Sequence, residues 1–461
     1  MRAAERTASE ADRAGSIRSS WEAAAKYAAI ALFGVWLVAR AATQSVTHDE
    51  ALTYQWFASG SWHGLFTQYN ANHHILHTIL VKLCISLFGL SELTLRLPAV
   101  IGGILYAAGC ARVTTHLLDR RVWRWTTIAL LMLNPFVVDF LVASRGYALA
   151  LAFFVWHLGE LLGGRPMRSS LLAGLSVSAN LTFLFPVIAT SLALLLRDRS
   201  GTAFTAARLA LPAATVVAVI CGAPLLHAKL SDFYAGAPAI TDTAVELADV
   251  SFHHGTRDWL PLALPALAVA AGAAVAAIWK GTPLCRFFGT ALAIVLAEIV
   301  AAHLIRGILY PVPRTGLYLV VLITLVLATG AAELGQRVFL VPLLALIGAY
   351  GAQIEGTYFY EWRYDAATKS MFDTASGRSP HGRICADWIY EPSLSFYRTL
   401  RHTDTFEPIA RNVYDRCDFV LINDREPFIG LHHDLLFSRN RLKEIRRDDF
   451  TGSVLYAKDT R

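Results

Sequence analysis

The chain has 461 residues, 55% of them hydrophobic and only 16% charged, with a net charge of +6 and six cysteines. Ordinary soluble proteins carry about 25% charged residues, which excludes a soluble globular class for most of the length. The Lys and Arg residues are spread over short loops and form no single stripe, which argues against a nucleic-acid partner and fits the positive-inside bias of membrane proteins.

In chain order, residues 1–21 read as a short cytoplasmic tail, too polar for the apolar core of a cleaved leader. Residues 22–42 then form the first span, running outward. Five basic blocks belong on the cytoplasmic side: "DRRVWR" (119–124), "GGRPMR" (163–168), "RDRS" (197–200), "WKGTPLCR" (279–286) and "GQR" (335–337). With that placement, 95–117 returns, 124–142 runs out and 147–163 returns. The run 169–196 exceeds one span and breaks near "ANLTFLFP", at Asn180 and Pro186, into two short helices. Spans at 205–226, 259–279, 287–309, 315–332 and 338–355 complete the path. The stretch 75–90, "ILHTILVKLCISLFGL", is apolar, but counting it as a span would flip every later loop. It is therefore expected to lie along the outer surface, with His77 and Lys82 turned to water or to a site.

The expectation is a polytopic α-helical membrane protein of about eleven transmembrane helices. Its membrane domain covers 22–355, with a first outer loop at 43–94, and 356–461 forms a small extracytoplasmic α/β domain. Cys385 and Cys417 fall in that domain and are free to pair if the compartment is oxidising. Cys84, Cys110, Cys221 and Cys285 lie in or near apolar segments and read as small buried hydrophobes.

Polar residues collect on the outer face. In "SVTHDEALTYQWF" (45–57), Asp49 and Glu50 have two readings. They start and cap a helix, or they supply a general base beside a partly dehydrated cavity. In "YNANHHILH" (69–77), His73 and His77 share a helical face, a spacing compatible with a metal; polar residues at a membrane interface are the plainer reading. Lys82 follows within reach of a phosphate. In "NPFVVDFLVASRGYALALAF" (134–153), Asp139 and Arg145 either pair with each other or divide their work. In the second case Asp139 faces Asp49 across a cavity and Arg145 faces an anionic ligand. In "AEIVAAHLIRGILYPVPRTGLYL" (297–319), Glu298 is an ionisable residue inside a span, followed by His303 and Arg306. Pro311 and Pro313 stiffen a turn from which Arg314 projects, placed to hold a lipid phosphate or simply to snorkel. No Gly-rich nucleotide loop is present, which favours a donor already in the membrane.

These pieces, "THDEA", "NHHIL", "SELTLRLPAVIGG" (91–103), "NPFVVDFLVASRGYAL" and "YPVPRTGLYLV", resemble the GT-C membrane glycosyltransferases. Within them the sequence is most similar to glycosyltransferase family 39, the group related to protein O-mannosyltransferases and aminoarabinose transferases. The resemblance covers roughly residues 25–330, and "RLP" and "RGYAL" are its most specific parts. It implies a polyprenyl-phosphate sugar donor, a glycan, lipid or protein acceptor, and an active site on the outer face of the cell's inner (plasma) membrane. Asp49 would be the catalytic base, with Glu50 beside it and Asp139 as the acid of the second loop. Arg145 matches the family's arginine, and Lys82 and Arg314 fall where phosphate-binding residues are expected. His48, His73, His74, Tyr147 and Arg306 complete the substrate-binding set. No cofactor is required beyond a possible divalent metal, with Asp49, Asp139 and His73 as candidate ligands. Many relatives carry "HPP" where this chain has His73-His74-Ile75.

Two other classes compete. One is a transporter or flippase for a lipid-linked or anionic substrate, using Glu298, Asp139 and Arg145. Internal repeats are not apparent, however, and the polar residues gather at one face instead of the midplane. The other is a non-catalytic lipid-linked-glycan binding protein with the tail as its recognition module.

Overall fold

A computed structural model describes residues 2–198, 202–229, 232, 236–252, 256–403, 409–411, 417–425 and 442–458. The helices are α1 (Arg2–Thr43), α2 (His48–Thr53), α3 (Trp62–Thr67), α4 (Ile75–Phe88), α5 (Glu92–Leu117), α6 (Arg121–Leu133), α7 (Pro135–Phe140), α8 (Tyr147–Leu162) and α9 (Pro166–Ala179). They continue as α10 (Leu184–Arg197), α11 (Thr202–Leu225), α12 (Ile240–Phe252), α13 (Thr256–Trp279), α14 (Pro283–Arg306), α15 (Leu317–Leu334), α16 (Leu340–Gly351), α17 (Thr368–Arg378) and α18 (Glu391–Leu400).

Among the described residues, five stretches are long and apolar enough to cross a membrane: Trp21–Thr43, Glu92–Leu117, Ala203–Leu225, Pro283–Arg306 and Pro313–Leu334. Shorter apolar helices accompany them, and the chain is a multi-pass membrane protein. Leu32 and Val35 on α1 and Leu211 and Val219 on α11 are exposed, an arrangement that suits lipid and not water. The centre of the bundle is α5, α8 and α15, where Tyr106, Leu151, Phe154, Leu317 and Val321 are buried together. Helices α5 and α8 touch backbone to backbone: a Cβ on Gly102 would lie 2.8 Å from the Ala148 carbonyl carbon.

The run 169–196 breaks at Asn180. Its side chain accepts the Thr182 N–H at 3.0 Å and opens a short 3-10 turn, Leu181–Phe183, ahead of α10. Pro186 lies inside the first turn of α10, where its missing N–H costs no helical hydrogen bond. Helix α4 has 14 residues, a length of roughly 21 Å against a hydrocarbon core of about 30 Å. Its polar residues correct one expectation, because neither turns to water. His77 is fully buried on the Ser144 hydroxyl, and Lys82 donates to the carbonyls of Ala58 and Gly60.

Beyond residue 356 the chain carries a mixed sheet of β1 (Ile384–Ala386), β2 (Ala410–Arg411), β3 (Phe419–Asn423), β4 (Leu442–Asp448) and β5 (Ser453–Lys458), in the order β2-β1-β3-β5-β4. Strand β1 runs parallel to β2 and β3, while β5 runs antiparallel to β3 and β4. A disulfide joins Cys385 in β1 to Cys417 just before β3. This region is not a trailing appendage. Met371, Phe372, Ile384, Leu394 and Tyr397 share one buried cluster with Val46, Ala51 and Ala58 of the first outer loop. The Val46 N–H donates to the Tyr397 hydroxyl and the His48 N–H to Asp365, both at 2.7 Å. The loop bearing Asp49 is thus gripped between the bundle and the C-terminal region.

Candidate active site

Helix α2 begins with a reciprocal cap. Thr47 Oγ1 accepts the Glu50 N–H at 3.3 Å, and Glu50 Oε2 accepts the Thr47 N–H at 2.9 Å. Glu50 does more than close the cap. Arg96 donates to it twice, Nε to Oε1 at 2.8 Å and Nη2 to Oε2 at 2.6 Å, and the Ser144 N–H reaches Oε1 at 2.6 Å. With the Thr47 N–H these bonds fill all of the roughly four acceptor positions of a carboxylate. Arg96 spends its other donors on the carbonyls of Ala41, Gln44 and Ser45. Both side chains are fully buried. Burial pushes the Glu50 carboxyl up, but Arg96 and the N–H donors outweigh it and hold the group below its ordinary range. This geometry corrects the reading of Glu50 as a second catalytic acid: it is the bolt that joins α1, α2, α5 and the loop before α8.

Asp49, one residue earlier, points elsewhere. Its Oδ2 accepts from Arg314 Nη1 at 2.7 Å and lies 3.8 Å from Arg145 Nη2. Arg314 stands on the 3-10 turn Pro313–Gly316, with Pro313 fixing its first position. Arg145 is buried and loosely held. It bonds Asn72 Oδ1 at 3.0 Å, reaches Thr53 Oγ1 and the Asp49 carbonyl only at 3.4 and 3.5 Å, and leaves Nε unpaired. Gly146 beside it is obligatory, since a Cβ there would sit 1.9 Å from the Ala179 carbonyl oxygen. Burial pushes the Asp49 carboxyl up; Arg145 and then Arg314 reverse this and hold it below the ordinary range.

Next to this cluster opens a cavity of about 520 Å³. His73, His74, Tyr147 and Thr315 line one part of it, and the rest of the wall is largely apolar. His73 stacks on Phe57 at 4.1 Å and hydrogen-bonds the Gln68 carbonyl through Nδ1 at 3.2 Å. Burial brings the His73 imidazole down to about 4, and burial with the nearby Arg145 holds His74 well below its ordinary value. Both rings are therefore neutral at pH 7.

Other expected residues lie apart. Asp139 does not pair with Arg145 and does not face Asp49. Its Oδ1 accepts from Arg40 at 2.7 Å and its Oδ2 from the Tyr360 N–H at 2.8 Å. Lys82 is tied to the carbonyls of Ala58 and Gly60, with its amine 5.3 Å from the Trp62 ring, and braces the first outer loop. The His48 ring faces the C-terminal region, with Nδ1 2.9 Å from the Ile389 carbonyl and Trp388 edge-on at 5.6 Å. Arg306 is exposed on the last turn of α14, and no ion pair joins it to the cluster among the described residues. Among the described residues no group of three His, Cys, Asp or Glu is arranged to hold a metal, so Asp49, Asp139 and His73 are not assembled as a ligand set.

Sequence reasoning missed four contributors. Arg40, on the last turn of α1, carries Asp139 and the Tyr358 carbonyl. Asp365 receives the His48 N–H, and burial holds its carboxyl well above the usual range. Trp362 is buried beside Phe140, 5.5 Å between ring centroids, and acts on Asp49 to lower its pKa. Glu361 stands between Tyr360, bonded to Asp139, and Trp362, and feels Arg314, Asp49, Asp139 and Arg145. Its carboxyl is pushed up to about 7, by burial first and by Asp49 and Asp139, against the pull of Arg314 and Arg145. All but Arg40 lie beyond residue 356, where composition alone signals a separate soluble module.

No family model matches the chain, and no curated protein sequence matches it. Solved structures do. The arabinofuranosyltransferase AftD from Mycobacteria superposes with a TM-score of 0.52 at 14% identity, covering 95% of this chain and 40% of AftD. Its R1389S mutant gives 0.51 at 15% identity, over 94% of this chain and 41% of that one. ArnT from Cupriavidus metallidurans, in a structure bound to undecaprenyl phosphate, gives 0.47 at 14% identity over 95% and 98% of the two chains. The chain thus spans about two fifths of the AftD length, and over that length its fold is that of the GT-C membrane glycosyltransferases.

Proposed function

We propose that this chain transfers a sugar from a polyprenyl-phosphate donor to an acceptor hydroxyl on the outer face of the membrane, with inversion and with Asp49 as general base. The observation that carries the reading is the Asp49–Arg314–Arg145 cluster beside a cavity of about 520 Å³. Arg314, partly exposed, and Arg145, loosely bonded, are the phosphate ligands. AftD, which shares the fold, is named an arabinofuranosyltransferase, and this supports glycosyl transfer as the reaction class. The bonded Cys385 and Cys417 support an oxidising, extracytoplasmic compartment for the C-terminal region.

At rest Asp49 is a weak base, because two guanidinium groups stabilise its charge. A donor phosphate competes for both of them. As Arg314 and Arg145 turn to the phosphate, Asp49 loses its stabilisation and its proton affinity rises, so the donor itself primes the base. The acceptor oxygen then attacks the anomeric carbon from the face opposite the phosphate while its proton passes to Asp49. The C–O bond to the phosphate breaks with its electron pair going to the leaving oxygen. Negative charge grows there in the transition state, where the arginines bind it more strongly than in the ground state.

The test is release of polyprenyl phosphate by purified protein given a polyprenyl-phosphoryl sugar and a hydroxyl acceptor. Asp49→Asn should lower the rate by about 10² or more with folding intact. Near-normal turnover by that variant would remove Asp49 from the chemistry.

A further inference from the structure

The Asp49 cluster occupies one end of the bundle, and a second set of charges stands at the other. Glu22 on α1 accepts from Lys26 Nζ at 2.8 Å, from Arg121 Nε at 2.9 Å and from Arg124 Nη1 at 3.3 Å. Lys26 also donates to Thr115 Oγ1 of α5 at 2.8 Å. Thr115 lies about five turns beyond Arg96 on α5, roughly 28 Å, close to the roughly 30 Å of a hydrocarbon core. The two clusters therefore stand at opposite faces of the membrane. Three cations meet one carboxylate here, an excess of two positive charges. Counting Asp119 and Arg120 of the adjoining loop leaves that excess unchanged.

An apolar groove leads away from this cluster along the lipid-facing surface. It holds about 450 Å³, and its lining includes Tyr27, Ile30, Ala31, Gly34 and Val38 of α1 and Ile104 of α5. The α1 residues recur every three or four positions and so form one face of that helix. Lys26, four residues before Ile30, shares the face. On α5, Ile104 and Thr115 are separated by about three turns and so lie on one side. The Lys26–Thr115 bond thus joins the two helices in line with the groove, at its charged end. Gly34 sets the depth, because a Cβ there would lie 3.2 Å from the Ile104 side chain. Trp21 and Tyr27 are 71% and 74% exposed at the same end. Exposed aromatic rings of this kind mark the headgroup level of a bilayer.

We infer that the groove and the charged cluster together bind one anionic phospholipid. An acyl chain lies along Ala31 and Gly34, and the headgroup phosphate meets Arg121 first, with Arg124 and Lys26 behind it. A hydrocarbon chain alone has no use for the cations, and a free phosphate has none for a groove that runs roughly 16 Å along α1 from Tyr27 to Val38. A zwitterionic headgroup brings its own cation to a place that already has two in excess, so a net negative lipid is preferred. The planar fork of arginine suits phosphate oxygens, and the Arg121 side chain is 52% exposed. Basic pockets between membrane helices hold such headgroups at the cytoplasmic face, the side to which loop charge assigns residues 119–124. The lipid clamps the start of α1 to α5. The same helix carries Arg40, the partner of Asp139, at its other end. This inference does not depend on the role given to Asp49.

The test measures lipid retention on the full chain in neutral detergent by native mass spectrometry. Three probes are compared: phosphatidylglycerol, phosphatidylcholine with the same acyl chains, and glycerol 3-phosphate. Phosphatidylglycerol should be retained about tenfold more strongly than phosphatidylcholine, and glycerol 3-phosphate should not displace it. Arg121→Gln should lower phosphatidylglycerol retention about fivefold and leave phosphatidylcholine unchanged. Ala31→Phe, at an exposed position, fills the groove and should weaken both lipids alike. Arg168→Gln removes an exposed cation from a different basic loop and should change neither. Phosphatidylglycerol should also raise the melting temperature of wild type more than that of Arg121→Gln. Four outcomes would each overturn the inference. Equal retention of the two lipids means that only hydrocarbon is bound. Displacement by glycerol 3-phosphate means a phosphate site without a lipid. Equal losses from Arg168→Gln and Arg121→Gln mean diffuse surface charge. Unchanged retention by Ala31→Phe means that the groove takes no part.

Discussion

Asp49 and Glu50 are neighbours with the same functional group, and the protein uses them in opposite ways. Around Glu50 every lone pair has a donor, every donor of Arg96 has an acceptor, and both side chains are sealed from solvent. Around Asp49 the bonds are fewer and longer. Arg145 keeps an unpaired Nε, and the Arg314 side chain is 31% exposed. A charge pair with no spare valence has nothing to offer a ligand, whereas one with spare donors beside a cavity can exchange partners. Completeness of bonding, more than the presence of charge, separates scaffold from site.

The largest effect expected from this contrast is on stability. Glu50→Gln should destabilise the protein by about 3–5 kcal/mol, because it leaves Arg96 as a buried charge without its counter-ion. Asp49→Asn should lose less, because Arg314 is partly exposed and Arg145 keeps its bond to Asn72. Thermal unfolding in detergent compares the two directly. A Glu50→Gln variant that melts normally would end the description of Glu50 as the joint between four segments. Next in size is Arg314→Lys. A lysine keeps the charge beside Asp49 but loses the planar fork that fits phosphate. The rate with a polyprenyl-phosphoryl sugar should fall roughly tenfold, about 1.4 kcal/mol, with little change in melting temperature. An unaltered rate would show that a point charge is enough and that Arg314 need not bind phosphate in a forked geometry.

The contrast also explains what the sequence made legible. Span-length apolar runs and loop charge signal a polytopic helical chain, because lipid imposes composition directly. The break at Asn180 was readable from a capping residue in an overlong run, and Arg314 from a proline-bounded turn. Pairing was not readable. Asp139 was expected to meet Asp49 or Arg145 and instead meets Arg40, 99 residues away in sequence. Lys82 resembled a phosphate ligand by position, yet its amine faces the carbonyls of Ala58 and Gly60 between α2 and α3. Ser178, Asn180 and Tyr318 leave no signature, since each is an ordinary residue until the end of α9 and the start of α15 meet at one cavity. Glu361 was invisible for a different reason: a charged composition after residue 356 indicates solvent exposure, while the packing against Val46 and Ala51 carries the segment into the site.

Glu361 gives the smallest and most discriminating test of the comparison, because it is a third acid whose proton is poised near neutrality. Its pKa is about 7 in the fold against an ordinary 4.5. Between those values the native state holds a proton that the unfolded chain has released. Stability therefore declines as pH rises through this window, the reverse of the usual carboxylate behaviour. Replacing Glu361 with Gln removes the titration. The variant's melting temperature should change less between pH 4.5 and 7 than that of wild type, and above pH 7 the variant should be the more stable of the two. Donor affinity should follow the same course: in wild type a third negative charge develops opposite the phosphate above pH 7 and weakens binding, and in Glu361→Gln this weakening is lost. Parallel pH profiles for the two proteins would mean that Glu361 does not share the field of Asp49 and Asp139, and that the C-terminal region only shapes the rim of the site.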